Sequence, residues 1–277
     1  MGNYEPNIVL SNREYNVVGT RPERHDALDK VTGSANYSAD IHLPGMLQGR
    51  ILRSPHAHAK ILFIDTTKAA ALDGVQAVVT AADFPKLSSH AVDLGEGALS
   101  NKAFVSENCL ARDKVLYKGH AIAGVAAINS EIATEAIGLI DVKYEVLEPV
   151  LDGKEAMKAT APILHERLAT KGGPGAAGTL SEGEDGVPTN VGAHFEYTLG
   201  DIEKGFREAD IIVERETHTK AVHQGYIEPQ SATVDWHSNG EVTIWCSSQG
   251  QFQIREQSAL VLGVPVSKIR VVPLEIG

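Results

Sequence analysis

Two histidines one residue apart, His56 and His58 in Ser54-Pro-His-Ala-His-Ala-Lys60, are the first place where the chain carries groups suited to chemistry. On an extended segment they set two imidazoles on one side, an arrangement that can hold a metal. No carboxylate or thiolate stands beside them, and a motif this short specifies a site loosely. The expectation is a turn leaving Pro55, with the rings hydrogen-bonded to backbone. His165, His218 and His223 stand alone in the sequence and are assigned no ligand role. Glu228, in His223-Gln-Gly-Tyr-Ile-Glu-Pro229, is the acid-base candidate, because a carboxylate among apolar and aromatic neighbours has its pKa raised by burial. Its expected role is humbler: to cap or bridge backbone groups at the Pro229 turn. Cys109 and Cys246 are the two cysteines and form no CxxC pair, so the chain cannot ligate an iron-sulfur cluster or a structural zinc through thiolates. A Gly-x-Ser-x-Gly elbow, a phosphate loop and a dinucleotide fingerprint are all missing, which leaves nucleophilic hydrolysis and nucleotide chemistry without support.

The elements that must position these groups follow from hydrophobic period. Gln48-Gly-Arg-Ile-Leu-Arg-Ser54 and Lys60-Ile-Leu-Phe-Ile-Asp65 read as strands. Residues 66–72 read as a short alanine-rich helix stopped at Asp73-Gly74, and Val75-Gln-Ala-Val-Val-Thr80 as a returning strand, together one strand-helix-strand unit. Residues 121–128 are almost unbroken apolar chain, as expected of a strand covered on both faces. Ser130 is expected to cap a helix with Ile132, Ala133, Ala136, Ile137 and Ile140 on one face, before an alternating strand over 141–148. In the second half Phe195, Tyr197 and Leu199 alternate as a strand. Gly200-Asp201 opens a helix with Ile202, Phe206 and Ala209 on one face, and residues 211–217 return as a strand. Val242, Ile244 and Cys246 alternate again, a helix over 250–262 ends at Gly263, and residues 268–274 form the last strand.

The chain has 277 residues, long enough for two packed domains. With 25 basic against 36 acidic residues, a net charge of -11 and no Lys/Arg block, nucleic acid and anionic membranes are repelled as partners. Residues 1–13 carry no apolar stretch ahead of a cleavage site, and no later run approaches the roughly 18 apolar residues that span a bilayer, so a cytoplasmic location is expected. The Gly-rich and acidic composition between Leu168 and Asn190 reads as a linker or long loop. The expected division is an N-terminal arm over 1–20, a first domain over 21–167, the loop over 168–190 and a second domain over 191–277. The fold class is α+β, with strands and helices mixed along the chain.

Several phrases occur in a fixed order: Arg24-His-Asp-Ala-Leu-Asp-Lys-Val-Thr-Gly-Ser-Ala-Asn-Tyr-Ser-Ala-Asp40, Leu43-Pro-Gly-Met46, Arg53-Ser-Pro-His-Ala-His-Ala-Lys60, Lys118-Gly-His-Ala-Ile-Ala123 and Val142-Lys-Tyr-Glu-Val-Leu-Glu-Pro-Val150. They are followed by Gly200-Asp201 with Phe206, then Glu228-Pro229 and Ser247-Ser-Gln-Gly250. Together they resemble the xanthine dehydrogenase and aldehyde oxidase family of molybdenum hydroxylases along nearly the whole chain. The resemblance implies an a/b hammerhead domain followed by the first part of a molybdopterin-binding domain. It implies that Gln249 lies near the molybdenum as an amide donor, with Gly250 and Gly277 also at the cofactor. In the family a Gly-Gly-Phe-Gly-Gly-Lys loop continues from the position of Gly277, and the base glutamate lies further along. No catalytic residue and no direct metal ligand are therefore expected within this chain.

The implied reaction is hydroxylation of an aldehyde or N-heteroaromatic type carbon with water-derived oxygen. Electrons would leave through iron-sulfur and FAD centres on partner subunits, with the rest of the molybdopterin-binding segment supplied by the same or another chain. The alternative is a non-catalytic assembly or binding module derived from that family, which would fold stably without metal.

Overall fold

The computed structural model describes residues 16–17, 20–88, 91–93, 99–166, 187–192, 197–226, 228 and 230–276. In chain order the helices are α1 (Ala27–Thr32), α2 (Thr67–Ala70), α3 (Lys102–Cys109), α4 (Ser130–Gly138), α5 (Gly153–Ala156), α6 (Ile202–Glu208) and α7 (Gln251–Leu262). The strands are β1 (Gln48–Arg53), β2 (Ala59–Asp65), β3 (Val75–Thr80), β4 (Ala91–Asp93), β5 (Leu99–Asn101) and β6 (Lys114–Val115). They continue with β7 (Ala121–Ala127), β8 (Asp141–Val146), β9 (Ala232–Trp236), β10 (Val242–Ser247) and β11 (Ile269–Leu274).

The apolar run of β7 is where the first half is organised. It lies between β1 and β3, antiparallel to both, and its alternate side chains feed two cores. Ala123 and Val125 pack with Ala69, Ala136 and Ile140 under the helices, while Ile122 packs with Ala59, Ala111 and Val115. A second sheet places β2 between β6 and β8, again antiparallel. The expected unit made of residues 60–65, the helix and residues 75–80 is therefore corrected: all its elements form, but β2 and β3 lie in different sheets. Each edge is taken by a strand far along the chain, β8 for β2 and β7 for β3, and a local period carries no information about such a partner.

Turn chemistry explains the connections. Gly74 has φ +91°, and a Cβ there would stand 2.7 Å from the Ile132 side chain, so the turn before β3 needs glycine for both conformation and space. The cap of α4 is Asn129 rather than Ser130, since its side-chain oxygen accepts the Ile132 N–H at 2.8 Å. Ile140 lies beyond the helix end and still reaches the core.

Among the described residues the second half has one sheet, with β10 at its centre, antiparallel to β9 and parallel to β11. The parallel step requires a crossover, and α7 provides it, ending at Gly263 with φ +69°. Val242, Ile244 and Cys246 from β10 meet Ala259 and Ile269 in its core. The early chain reaches this sheet too. A 3-10 turn at Ser38–Asp40 packs against β9 and β10, the Glu275 N–H donates to the Asn36 carbonyl at 3.4 Å, and Lys30 Nζ lies 3.2 Å from the Glu275 carboxylate.

Residues 197–226 differ from the reading given above. Asp201 caps α6 by accepting the Lys204 N–H at 2.9 Å, as Gly200-Asp201 suggested, yet Ile202 and Phe206 face outward. Residues 211–217 form no strand, and Ile211 is 81 % exposed. An alternating pattern becomes a strand only where a neighbour takes its backbone N–H and C=O groups, and among the described residues none does so here. Phe195 and most of the 168–190 loop lie outside the described residues. No described helix is long and apolar enough to cross a membrane.

Candidate functional site

The turn from β10 into α7 carries the candidate site. β10 delivers Ser247 beside Leu274 of β11, and the chain then bends through Ser248 and Gln249 to Gly250, which precedes the first turn of α7. The Gly250 N–H donates to Ser248 Oγ at 2.9 Å, and the Gly250 carbonyl accepts from the Ile254 N–H at 3.0 Å. Gln249 is thus held on a short, internally bonded bend with its side chain exposed. Gly250 offers α7 no side-chain cap, so the first helical N–H groups keep their donor capacity.

Beneath this bend lies a cluster of hydroxyls around one carboxylate. Ser247 Oγ donates to Glu228 Oε1 at 3.0 Å, and Ser38 Oγ donates to the same oxygen at 3.3 Å. Ser38 Oγ also lies 2.6 Å from Ser231 Oγ and 3.2 Å from Ser247 Oγ. Ser38 is 1 % exposed, so its hydroxyl has these neighbours in place of solvent. Glu228 therefore accepts from two serine hydroxyls distant in the chain, with Ser231 joined through Ser38, a role its local sequence did not suggest. Ser38, Ser231 and Ser247 were not singled out either, since a serine's partners are set by tertiary approach. The available signal was that Ser38 and Ser247 both lie in the quoted phrases.

Of the residues the resemblance implies, the structure brings Gln249 and Gly250 together on the bend, while Gly277 lies outside the described residues. The histidines singled out by sequence make their recorded contacts elsewhere. His58 is 4 % exposed with Nδ1 2.7 Å from the Glu148 carbonyl oxygen, which can only accept, so Nδ1 carries the proton. His56 sets its ring edge-on to Tyr144, with centroids 4.9 Å apart. His165 packs on Phe104, His218 lies 3.2 Å from Glu216 on the surface, and His223 Nδ1 accepts the Gly225 N–H. Among the described residues no group of three His, Cys, Asp or Glu side chains is placed to hold a metal.

His120 was not singled out by sequence, and the structure buries it completely. Its ring stacks on Tyr117, Nδ1 accepts the Leu116 N–H at 3.3 Å, and Nε2 donates to the Glu107 carbonyl at 2.9 Å. Burial pushes its pKa below the ordinary histidine value, which favours this neutral tautomer. Both cysteines are free thiols whose pKa values burial raises, the opposite of a reactive thiolate.

Comparison with known proteins gives this geometry a context. Residues 32–148 match the family model for the aldehyde oxidase and xanthine dehydrogenase a/b hammerhead domain, and residues 184–277 match the molybdopterin cofactor-binding domain. The carbon monoxide dehydrogenase large chain of Afipia carboxidovorans is 32 % identical over 99 % of this chain and 32 % of its own length. The nicotinate dehydrogenase large molybdopterin subunit of Eubacterium barkeri is 30 % identical over 96 % of this chain and 55 % of its own. The chain thus spans about a third to a half of the length of such relatives. Among solved structures, reconstituted CO dehydrogenase from Oligotropha carboxidovorans superposes with a TM-score of 0.72 at 32 % identity, covering 94 % of this chain and 31 % of that one. Quinoline 2-oxidoreductase from Pseudomonas putida 86 gives 0.72 at 26 % identity, covering 94 % and 30 %. Two successive domain models in the family's order, with a matching fold across both, show that the chain belongs to the aldehyde oxidase and xanthine dehydrogenase family of molybdenum hydroxylases.

Proposed function

We propose that the chain forms one wall of the molybdenum site in a cytoplasmic hydroxylase, with the Gln249 amide donating a hydrogen bond to the bound cofactor. The observation that carries this reading is the exposed Gln249 side chain on a bend braced from both sides. The donor set fits a molybdopterin-type group. That group brings its own sulfur ligands, so it asks a protein wall for neutral hydrogen-bond donors and close backbone rather than for thiolates or imidazoles, and Gln249 and Gly250 supply these. A neutral amide steadies an electron-rich ligand without adding charge or competing for the metal. The uncapped N-terminus of α7 adds a partial positive charge on the same side.

When bound, the cofactor supplies the two-electron oxidation of an aldehyde or N-heteroaromatic type carbon with oxygen derived from water. The residues of this chain orient it: Gln249 through its N–H, Gly250 by leaving room for close approach, and the serine-carboxylate cluster by holding the bend. The proton-accepting carboxylate, the grip on substrate and the remaining cofactor contacts belong to the rest of the molybdopterin-binding segment. Iron-sulfur and FAD subunits take the electrons.

The test is molybdenum analysis of the native complex together with Gln249→Ala. The expected result is molybdenum in the complex and a loss of roughly 10- to 100-fold in kcat, in the range seen when a partner of a metal ligand is removed. A complex without molybdenum, or a Gln249→Ala enzyme with unchanged kcat and unchanged molybdenum paramagnetic resonance, overturns the reading.

A further inference from the structure

We propose that Ser38, Glu228 and Ser247 act as a positioning relay for Gln249, by which a turn from the start of the chain sets the geometry of the β10–α7 bend. The inference rests on the reading of Gln249 given above and extends it to residues that touch no cofactor.

The hydrogen-bond directions are fixed by what each group can do. Ser247 and Ser38 both send their protons to Glu228 Oε1, at 3.0 and 3.3 Å. The Ser38 oxygen is then left to accept, and Ser231 Oγ at 2.6 Å is the donor it meets. One consistent set of directions results, Ser231 to Ser38 to Glu228, with Ser247 to Glu228 alongside. Glu228 Oε1 accepts from two hydroxyls that come from distant parts of the chain, so it is the anchor of the set. Ser38 is almost wholly buried, and its removal leaves the carboxylate short of a donor that solvent cannot replace there.

The relay reaches Gln249 through two covalent steps. Ser247 is the last residue of β10, where its backbone is paired with Leu274, and Ser248 accepts from Gly250 on the other side of Gln249. With the Ser247 side chain tied to Glu228, the bend keeps one orientation of the peptide that carries Gln249. Without it, the strand end keeps its ladder and the 3.2 Å contact of Ser247 Oγ with Ser38 Oγ, and the amide samples a wider arc. A displacement of about 1 Å at a reacting centre is enough to cost roughly 100-fold in rate.

The experiment compares Glu228→Ala, Glu228→Gln and Ser38→Ala with Gln249→Ala in the assembled, molybdenum-loaded enzyme. Four quantities are measured: kcat and KM, molybdenum content, the molybdenum paramagnetic resonance signal, and hydrogen exchange of the Gly250 amide. Glu228→Ala is expected to lower kcat about 10-fold with molybdenum retained, to shift the resonance signal in the same sense as Gln249→Ala, and to speed exchange at Gly250. Glu228→Gln keeps an accepting Oε1 and is expected to recover most of all three. If Glu228→Ala does not fold, Ser38→Ala carries the same comparison with one donor removed.

Unchanged Gly250 exchange and an unchanged signal in the Glu228 and Ser38 variants, while Gln249→Ala shifts the signal, overturn the relay and leave the role of Gln249 standing. A Glu228→Gln enzyme as impaired as Glu228→Ala overturns the acceptor role assigned to Oε1. If Gln249→Ala itself leaves the signal unchanged, it is the Gln249 reading that fails.

Discussion

Residues 121–127 and residues 211–213 are chemically alike and end in opposite surroundings. The first, Ala-Ile-Ala-Gly-Val-Ala-Ala, becomes the central strand of a sheet with Ile122 fully buried. The second, Ile-Ile-Val, is left in irregular chain with Ile212 60 % exposed. Apolar content is high in both, so it does not decide the outcome. What β7 has is company: β1 and β3 on its two edges, α4 over one face and the β2 sheet under the other. Burial is thus a property of a set of segments, and a segment's own residues state only its demand for partners.

The sharpest way to break this comparison is to truncate one side chain in each region. Ile122→Ala is expected to cost about 2–5 kcal/mol, because it removes buried methyl groups and leaves a cavity between two sheets. Ile212→Ala is expected to stay within about 0.5 kcal/mol in the same thermal or urea unfolding measurement. Equal losses in the two variants would show that 211–213 is covered in solution as β7 is.

Helix caps give a smaller contrast of the same kind. Asn129 caps α4, whose Ala133 and Ala136 are buried, and Asn129→Ala is expected to cost about 1 kcal/mol. Asp201 caps α6, which has no buried residue, so Asp201→Ala should change global unfolding by only a few tenths of a kcal/mol while fraying α6 locally. Amide exchange at Lys204 in the second variant, against the global midpoint in the first, separates the two.

The smallest effect expected is a slope. His120 is held neutral by burial, with its folded pKa below the ordinary value of 6.5. Above that value both folded and unfolded chains are neutral at this site, and its contribution to stability is fully present. As pH falls below 6.5 the unfolded chain takes up a proton that the folded chain resists, so stability is lost down to the folded pKa. Denaturant midpoints between pH 7.5 and 5 measure this loss, and His120→Asn should flatten the slope. A slope unchanged by that substitution places the titrating group elsewhere.

What sequence made legible follows the same division between local and non-local. The β7 run, the left-handed Gly74 before β3, the Asp201 cap, the β10 alternation and the Gly263 stop are local signals, and each stands where the pattern put it, although α2 itself ends earlier, at Ala70. Sheet membership was not legible, because whether β2 lies beside β3 or β8 depends on competition among distant edges. Sequence pointed to Ser130 as the α4 cap where the structure uses Asn129: both residue types cap well and stand side by side, and only geometry separates them. At the candidate site an ordered set of phrases pointed to Gln249 and Gly250, which the structure sets on one bend and whose part at a cofactor belongs to the proposed function. The serine-carboxylate cluster was not legible, since hydroxyls acquire meaning only once a tertiary neighbour arrives.

The separation along the chain between Ser38 and its partners also sets an order of events in folding. Ser38 meets Ser247 across 209 positions of sequence and Glu228 across 190, whereas β7 is joined by β1 and β3, both earlier in the chain and much nearer to it. Loop-closure entropy favours contacts of short span, so the β1–β7–β3 sheet can assemble while the cluster waits for β10 to be made. The bend that presents Gln249 is accordingly expected to become rigid after the β1–β7–β3 sheet. During synthesis the turn at Ser38–Asp40 emerges well before the strands it will join.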